Sequence, residues 1–208
     1  MTGGGRNGGP PQESIGPGVP LRLLLIGPPG SGKGTQGRRL AEHYNLEHIA
    51  AGDLLRHEVE TESEIGRRAS DAMQRGELVP DDLVFDLVMP RVLEAGRANG
   101  YVLDGFPRSV GQAQEGRPVT EDNSVAVTLA VLLEAEPDEL VPRLLDRAQS
   151  EGRLDDTPEV IRARLEVFAE EVEPLLEFYR QRGLLVTVDA SGTPDEVWEQ
   201  LCALLGSR

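Results

Sequence analysis

Apolar and polar positions follow two rhythms along this chain. Leu21 to Ile26 (LRLLLI) is a short, nearly unbroken apolar run, the pattern of a strand buried on both faces of a parallel sheet. A glycine-rich turn, Gly27 to Gly34, follows, and then Thr35 to Tyr44 reads as a helix. Leu46–Ile49, Tyr101–Asp104, Val125–Leu133 and Leu184–Val188 read as four further strands. Between them the spacing turns helical. Leu54 to Arg75 reads as one charged helical stretch. Val79-Pro80 ends it, and Asp81-Asp82 cap a helix with Leu83, Val84, Leu87 and Val88 on one face, bent at Pro90. Thr157-Pro158-Glu159 starts a helix whose apolar face is Ile161, Leu165, Phe168 and Val172, with a break or kink at Pro174 before Leu175, Leu176 and Tyr179. Thr193-Pro194-Asp195-Glu196 repeats that start ahead of Val197, Trp198, Leu201 and Leu205. Strands alternating with helices predict an α/β fold, a mainly parallel sheet of about five strands with helices on both faces. Trp198 reads as core.

The length, 208 residues, suits one core with small subdomains. Aromatics are 4%, so Leu and Val must fill that core. A net charge of −15 repels nucleic acid and anionic membranes and describes a soluble chain. No apolar run approaches the roughly 18 residues of a membrane span. Residues 1–20 are rich in Gly and Pro, resemble no targeting peptide, and read as a disordered tail. The lone cysteine, Cys202, makes no internal disulfide and no zinc site, and reads as a small buried hydrophobe of a reduced compartment, in keeping with a cytoplasmic location. His43, His48 and His57 form no metal or triad pattern and read as structural or surface residues.

The first turn carries the chemistry. Gly27, Gly32 and Lys33 have the spacing of a phosphate-binding loop, and a buried strand precedes it and a helix follows, as that motif requires. Gly30, Ser31, Gly32, Gly34 and Thr35 belong to the same cradle. Its glycines let backbone N–H groups converge on phosphate oxygens, and the helix aims its positive end at the same point. The strict pattern places Ser or Thr directly after the lysine; here Gly34 intervenes before Thr35. The chain has 20 arginines and one lysine, and that lysine is Lys33. A compact ammonium on a slim stem fits where a planar guanidinium does not.

The segment GPPGSGKGTQ (Gly27 to Gln36) resembles the phosphate loop of the nucleoside monophosphate kinases, in which Gly-Thr after the lysine is usual. GDLLR (Gly52–Arg56), GELVP (Gly76–Pro80), DGFPR (Asp104–Arg108), RLLDR (Arg143–Arg147) and GRLDD (Gly152–Asp156) resemble further family segments in the family's order. Together they span about residues 21 to 205 and look most like adenylate kinases of the short-lid bacterial type. The resemblance implies a core of 21–49, 81–146 and 158–208, a helical monophosphate-binding insertion at 50–80, and a short lid at 147–157. It implies reversible transfer of a phosphoryl group from MgATP to AMP, in line and without a covalent intermediate, by a monomer. Arg56 and Arg108 resemble the arginines that hold the monophosphate, and Arg147, Arg153 and Arg164 those that close over the transferring group. Arg143 resembles the one that stacks on the ATP adenine. Asp104 resembles the acid that orients water around Mg²⁺, with Thr35 a weaker second contact, and no zinc is implied. Asp155 and Asp156 are expected to hold lid arginines. Such a set of cations has a physical purpose. Two nucleotides bring about six negative charges together, and the transition state spreads more.

The resemblance implies that Ala51, Glu77, Val79, Gly105 and Gln112 lie at the acceptor. Adenylate kinases commonly carry Thr before the Gly-Asp of this region; Ala51 looks more like a UMP/CMP kinase. Gln112, four residues after Arg108, resembles the glutamine that reads the adenine edge, and an amide offers adenine both a donor and an acceptor. AMP is therefore the expected acceptor. A UMP/CMP kinase and a catalytically inactive, nucleotide-binding regulatory paralogue are the alternatives.

Overall fold

A computed structural model describes residues 20–151 and 157–206, and its strands build one parallel sheet in the order β2-β3-β1-β4-β5. Along the chain the described elements are β1 (Arg22–Ile26), α1 (Lys33–Tyr44), β2 (Glu47–Ala50), α2 (Ala51–Glu60), α3 (Glu64–Arg75), α4 (Asp81–Arg97), β3 (Tyr101–Asp104), α5 (Val110–Asp122), β4 (Leu129–Glu134), α6 (Pro137–Glu151), α7 (Pro158–Arg180), β5 (Leu185–Asp189) and α8 (Pro194–Leu205). β1 lies at the centre because both its faces are apolar. Leu24 and Ile26 pack into one core with residues of α2 to α5 and α7, while Leu23 and Leu25 pack into a second with α1 and α8. Register pairs Leu25 with Asp104 and Ile26 with Leu132, so the carboxyl ends of β1, β3 and β4 lie together. The chain crosses from one side of β1 to the other there, which opens a crevice above those ends.

Three boundaries differ from the sequence reading. The stretch from Leu54 to Arg75 is two helices. Ser63 caps α3 by accepting from the Gly66 N–H at 2.9 Å, and Glu62, at φ 53°, turns the chain. The strand expected from Val125 begins only at Leu129, because the preceding residues are fixed by other bonds. The Tyr101 hydroxyl donates to the Val125 carbonyl at 2.8 Å, and the Thr128 hydroxyl accepts from the Arg22 N–H at 3.0 Å. Pro174 does not break α7, and Pro90 lies inside α4, as a bend rather than an end allows. Both prolines sit on exposed faces, where the loss of a helical partner for the carbonyls four residues back, those of Asp86 and Glu170, costs least.

Smaller corrections follow from burial. Pro80, not an aspartate, is the N-cap of α4, with Asp81 and Asp82 in its first turn. Of the face predicted for α7, Ile161 is buried, whereas Leu165, Phe168 and Val172 are half-buried. Cys202 is half-buried rather than buried. Trp198 packs against the second core and also carries the Arg39 guanidinium 4.9 Å from its ring centre. Thr157 and Thr193 cap their helices as the sequence predicts. No helix among the described residues is long and apolar enough to cross a membrane.

Candidate active site

The crevice is a cleft of about 790 Å³. Its floor is the loop between β1 and α1. Gly30 and Gly32 both adopt left-handed φ, 87° and 89°, which favours glycine. A side chain on Gly30 would also meet the Leu140 carbonyl at 3.0 Å, so α6 fixes that residue from outside, whereas a side chain begun on Gly32 would meet nothing within 4 Å. Gly32 is the N-cap of α1 and supplies no side-chain oxygen to its first N–H groups. Those donors and the positive end of the helix therefore face the cleft, the arrangement that binds phosphate. Lys33 folds over the loop and donates to the carbonyls of Gly27 at 2.7 Å and Pro28 at 2.9 Å. Ser31 is buried, and the Thr35 side chain is open to the cleft.

The register carries Asp104 to the edge of this loop. Its carboxylate lies 3.7 Å from where a side chain on Gly34 would begin. His48, on β2, places Nε2 4.0 Å from an Asp104 oxygen, and that nitrogen is buried without a hydrogen-bond partner. Burial pushes the His48 pKa below its ordinary value against the opposing pull of Asp104. The Asp104 carboxylate and the Thr35 hydroxyl are hard oxygen donors at the phosphate loop, a set that suits Mg²⁺.

Arginines gather across the cleft. Arg56 from α2, Arg108 after β3 and Arg164 from α7 all line it. Arg56 pairs with Asp53 one helical turn away, and Arg108 donates through Nε to the Gly105 carbonyl at 2.9 Å. Surrounding protein lowers the Arg108 pKa, and the charges of Arg164 and Arg56 lower it further, against the pull of Asp104. The guanidinium stays charged, so the cluster is a set of mutually repelling cations that a phosphate dianion would relieve. Arg143, on α6, donates to the carbonyls of Ala190 and Ser191 and to Glu139, all at 2.9 Å, which commits its edge and leaves its planar faces for stacking.

The cleft thus brings together Gly30, Ser31, Gly32, Lys33, Gly34, Thr35, Arg56, Glu77, Val79, Asp104, Gly105, Arg108, Arg143 and Arg164 from the sequence reading. Ala51 does not line it and is 1% exposed. Gln112 is likewise buried, but it borders an adjoining cavity of about 20 Å³ with Leu55, Leu78, Val79, Val84, Gly105 and Arg108. The Arg147 side chain, Arg153, Asp155 and Asp156, and with them most of the expected lid, lie outside the described residues. The sequence reading missed Arg38, Asp53, Asp146 and the loop 190–194 as cleft residues; Phe168 and Val172, on the apolar face it gave to α7, pack against the first core and also line the cleft. One signal was present. Residues 190–194 follow the carboxyl end of a parallel strand, where such sites form.

The chain matches the family model described as adenylate kinase over residues 25–184. It is 47% identical over 184 residues to the adenylate kinase of Synechococcus sp. (strain WH7803), covering 88% of this chain and 98% of that one. It is 43% identical to the adenylate kinase of Kocuria rhizophila, with the same coverage. It is also 43% identical to that of Xanthomonas campestris pv. campestris over 186 residues, covering 89% of this chain and all of the relative. These relatives favour neither the UMP/CMP alternative nor the inactive paralogue. With a family match across most of its length, a phosphate loop on β1–α1 and an arginine cluster facing it, this chain belongs to the adenylate kinase family.

Proposed function

We propose that the cleft carries out the reversible transfer between ATP and AMP, giving two ADP, as one in-line step with no covalent intermediate. The carrying observation is that two cationic sites of different origin face one crevice, the phosphate loop with Lys33 on one side and Arg56, Arg108 and Arg164 on the other. The loop amides and the α1 N-terminus take the ATP phosphates, and Lys33 leaves its loop carbonyls to follow the charge on the transferring group. The arginine cluster takes the AMP phosphate, and Gln112 meets the base. The flat faces of Arg143 suit the ATP adenine. Asp104, through water, and Thr35 would hold Mg²⁺, which when bound shields phosphate charge and orients the donor. Arg147 and Arg153 would complete the cation set. Movement of residues 50–80 over AMP and 147–157 over ATP would exclude water, which otherwise competes as acceptor.

The net charge of −15 supports a monomer that binds neither nucleic acid nor membrane, and the lone cysteine is in keeping with the reducing cytoplasm. The test of the reaction is coupled-assay turnover with MgATP and each of AMP, CMP, UMP and GMP, beside a Lys33→Ala control. AMP preferred by about tenfold or more supports the reading and makes Ala51 a tolerated departure. Preference for CMP or UMP would overturn it.

A further inference from the structure

Gln112 is 2% exposed, yet its amide is not idle. Its Oε1 accepts from the Arg108 backbone N–H at 2.7 Å, and its Nε2 donates to Asp81 Oδ1 at 2.6 Å. The two bonds assign the same orientation of the amide independently. Turning it over would set an amide N–H against the Arg108 N–H and the amide oxygen against a carboxylate, so both contacts would become repulsive. Of the two, the bond to Asp81 is charge-assisted and the stronger.

An amide has two N–H donors and two acceptor sites, so each end of Gln112 keeps one valence. Gln112 is part of the wall of the cavity of about 20 Å³, which is otherwise mainly Leu55, Leu78, Val79 and Val84, so that cavity is where its remaining valences can be met. A space of that size holds a single small group, about one water molecule. It is too small for a base and the right size for the group at position 6 of a purine whose ring lies in the main cleft. Adenine and hypoxanthine have the same outline there. Their edges are opposite: adenine donates from its 6-amino group and accepts at N1, while hypoxanthine accepts at its 6-oxygen and donates from N1. A glutamine free to turn over would serve both.

We propose that Asp81 is a positioning residue for acceptor specificity, holding the Gln112 amide in one orientation so that the site takes adenine and refuses a purine of the same shape with the reversed edge. The proposal rests on Gln112 as the base contact, and its test separates the two. Asp81 lines neither the cleft nor the adjoining cavity. It acts by removing the second orientation, which makes the mismatched purine leave buried polar groups unpaired.

The experiment compares AMP with IMP as acceptors, MgATP being the donor, in competition, for the unaltered chain and for Asp81→Ala, Asp81→Asn and Gln112→Leu. A ratio of kcat/KM values measured in competition does not depend on how much of a variant is folded. For Asp81→Ala the AMP-to-IMP ratio is expected to fall by about tenfold or more, with the change carried by acceptor KM rather than kcat. Asp81→Asn keeps the shape of the side chain, but its amide presents an N–H to Gln112 as readily as an oxygen, so the ratio should fall in that variant too. An unchanged ratio in Asp81→Ala, with collapse in Gln112→Leu, would overturn the role of Asp81 and leave the base contact standing. An unchanged ratio in both would overturn the base contact, and the proposal with it.

Discussion

The ammonium of Lys33 lies 2.7 Å from the carbonyl oxygen of Gly27, six residues back along the loop that it closes. One nitrogen on a slim stem is therefore held over the phosphate cradle, meeting the Pro28 carbonyl as well at 2.9 Å, where a planar guanidinium is broader. Lys33→Ala and Lys33→Arg should both lower kcat by about 10²–10³-fold, the usual cost of losing a donor aimed at developing charge. AMP KM should move much less, because the acceptor arginines are untouched. Steady-state kinetics with MgATP and AMP check this. Turnover by either variant close to that of the unaltered chain would remove Lys33 from the transfer step.

Arg108 shares the cleft with Arg56 and Arg164, and their charges depress its pKa. Replacing it by alanine should have two opposite effects. Without ligand, one repelling charge is gone, so the melting temperature should stay or rise. With AMP, most of the stabilisation should vanish; a saturating ligand at a hundred times its Kd contributes about 2.7 kcal/mol to an intact site. Thermal melts with and without AMP measure both. A variant that melts lower when empty and still gains from AMP would show Arg108 to be a structural residue.

Gly32 isolates backbone conformation from crowding. Its φ is 89°, and nothing lies within 4 Å of an added side chain. Gly32→Ala should therefore cost about 1–2 kcal/mol of stability, the penalty of left-handed backbone alone, and should weaken ATP more than AMP because it shifts the first amides of α1. Gly30→Ala adds contact with the Leu140 carbonyl and should cost more. Urea melts of the two variants rank them.

The parts of this protein that were legible in its sequence are those fixed by local rules. The run before Gly27 had to be a central strand, Thr157 and Thr193 carried their own caps, and Lys33, Asp104 and Arg108 stood in recognisable segments. What was not legible depends on contacts between distant residues. Val125 looks like strand until the Tyr101 hydroxyl, 24 residues away, takes its carbonyl. Phe168 packs against the first core as its apolar spacing on α7 predicts, but that it also borders the cleft is not visible in the spacing. The Ser63 cap was readable but was outweighed by the helical spacing on either side of it. His48 looked structural because no second ligand stood near it in the sequence; parallel pairing of Ala50 with Asp104 is what brings the two side chains together.

That same pair gives the chain a defined response to acid. Burial lowers the His48 pKa below its unfolded value near 6.5, and the Asp104 carboxylate offsets only part of the shift. The folded state therefore binds fewer protons than the unfolded chain as pH falls through 6.5, so stability is fully present above that pH and declines below it. His48→Gln removes the titrating group. Urea unfolding in EDTA, which keeps metal out of the comparison, should show the unaltered chain losing more stability than His48→Gln between pH 7.5 and 5.5. Gly37 limits the escape routes, since its backbone lies so close that an added side chain would meet His48 Nε2 at 2.6 Å. The ring cannot swing toward α1 to be solvated, and protonation must be met where it lies. Equal losses in the two proteins would mean that Asp104 stabilises the charged ring as well as water does, and that burial is not the governing effect at this position.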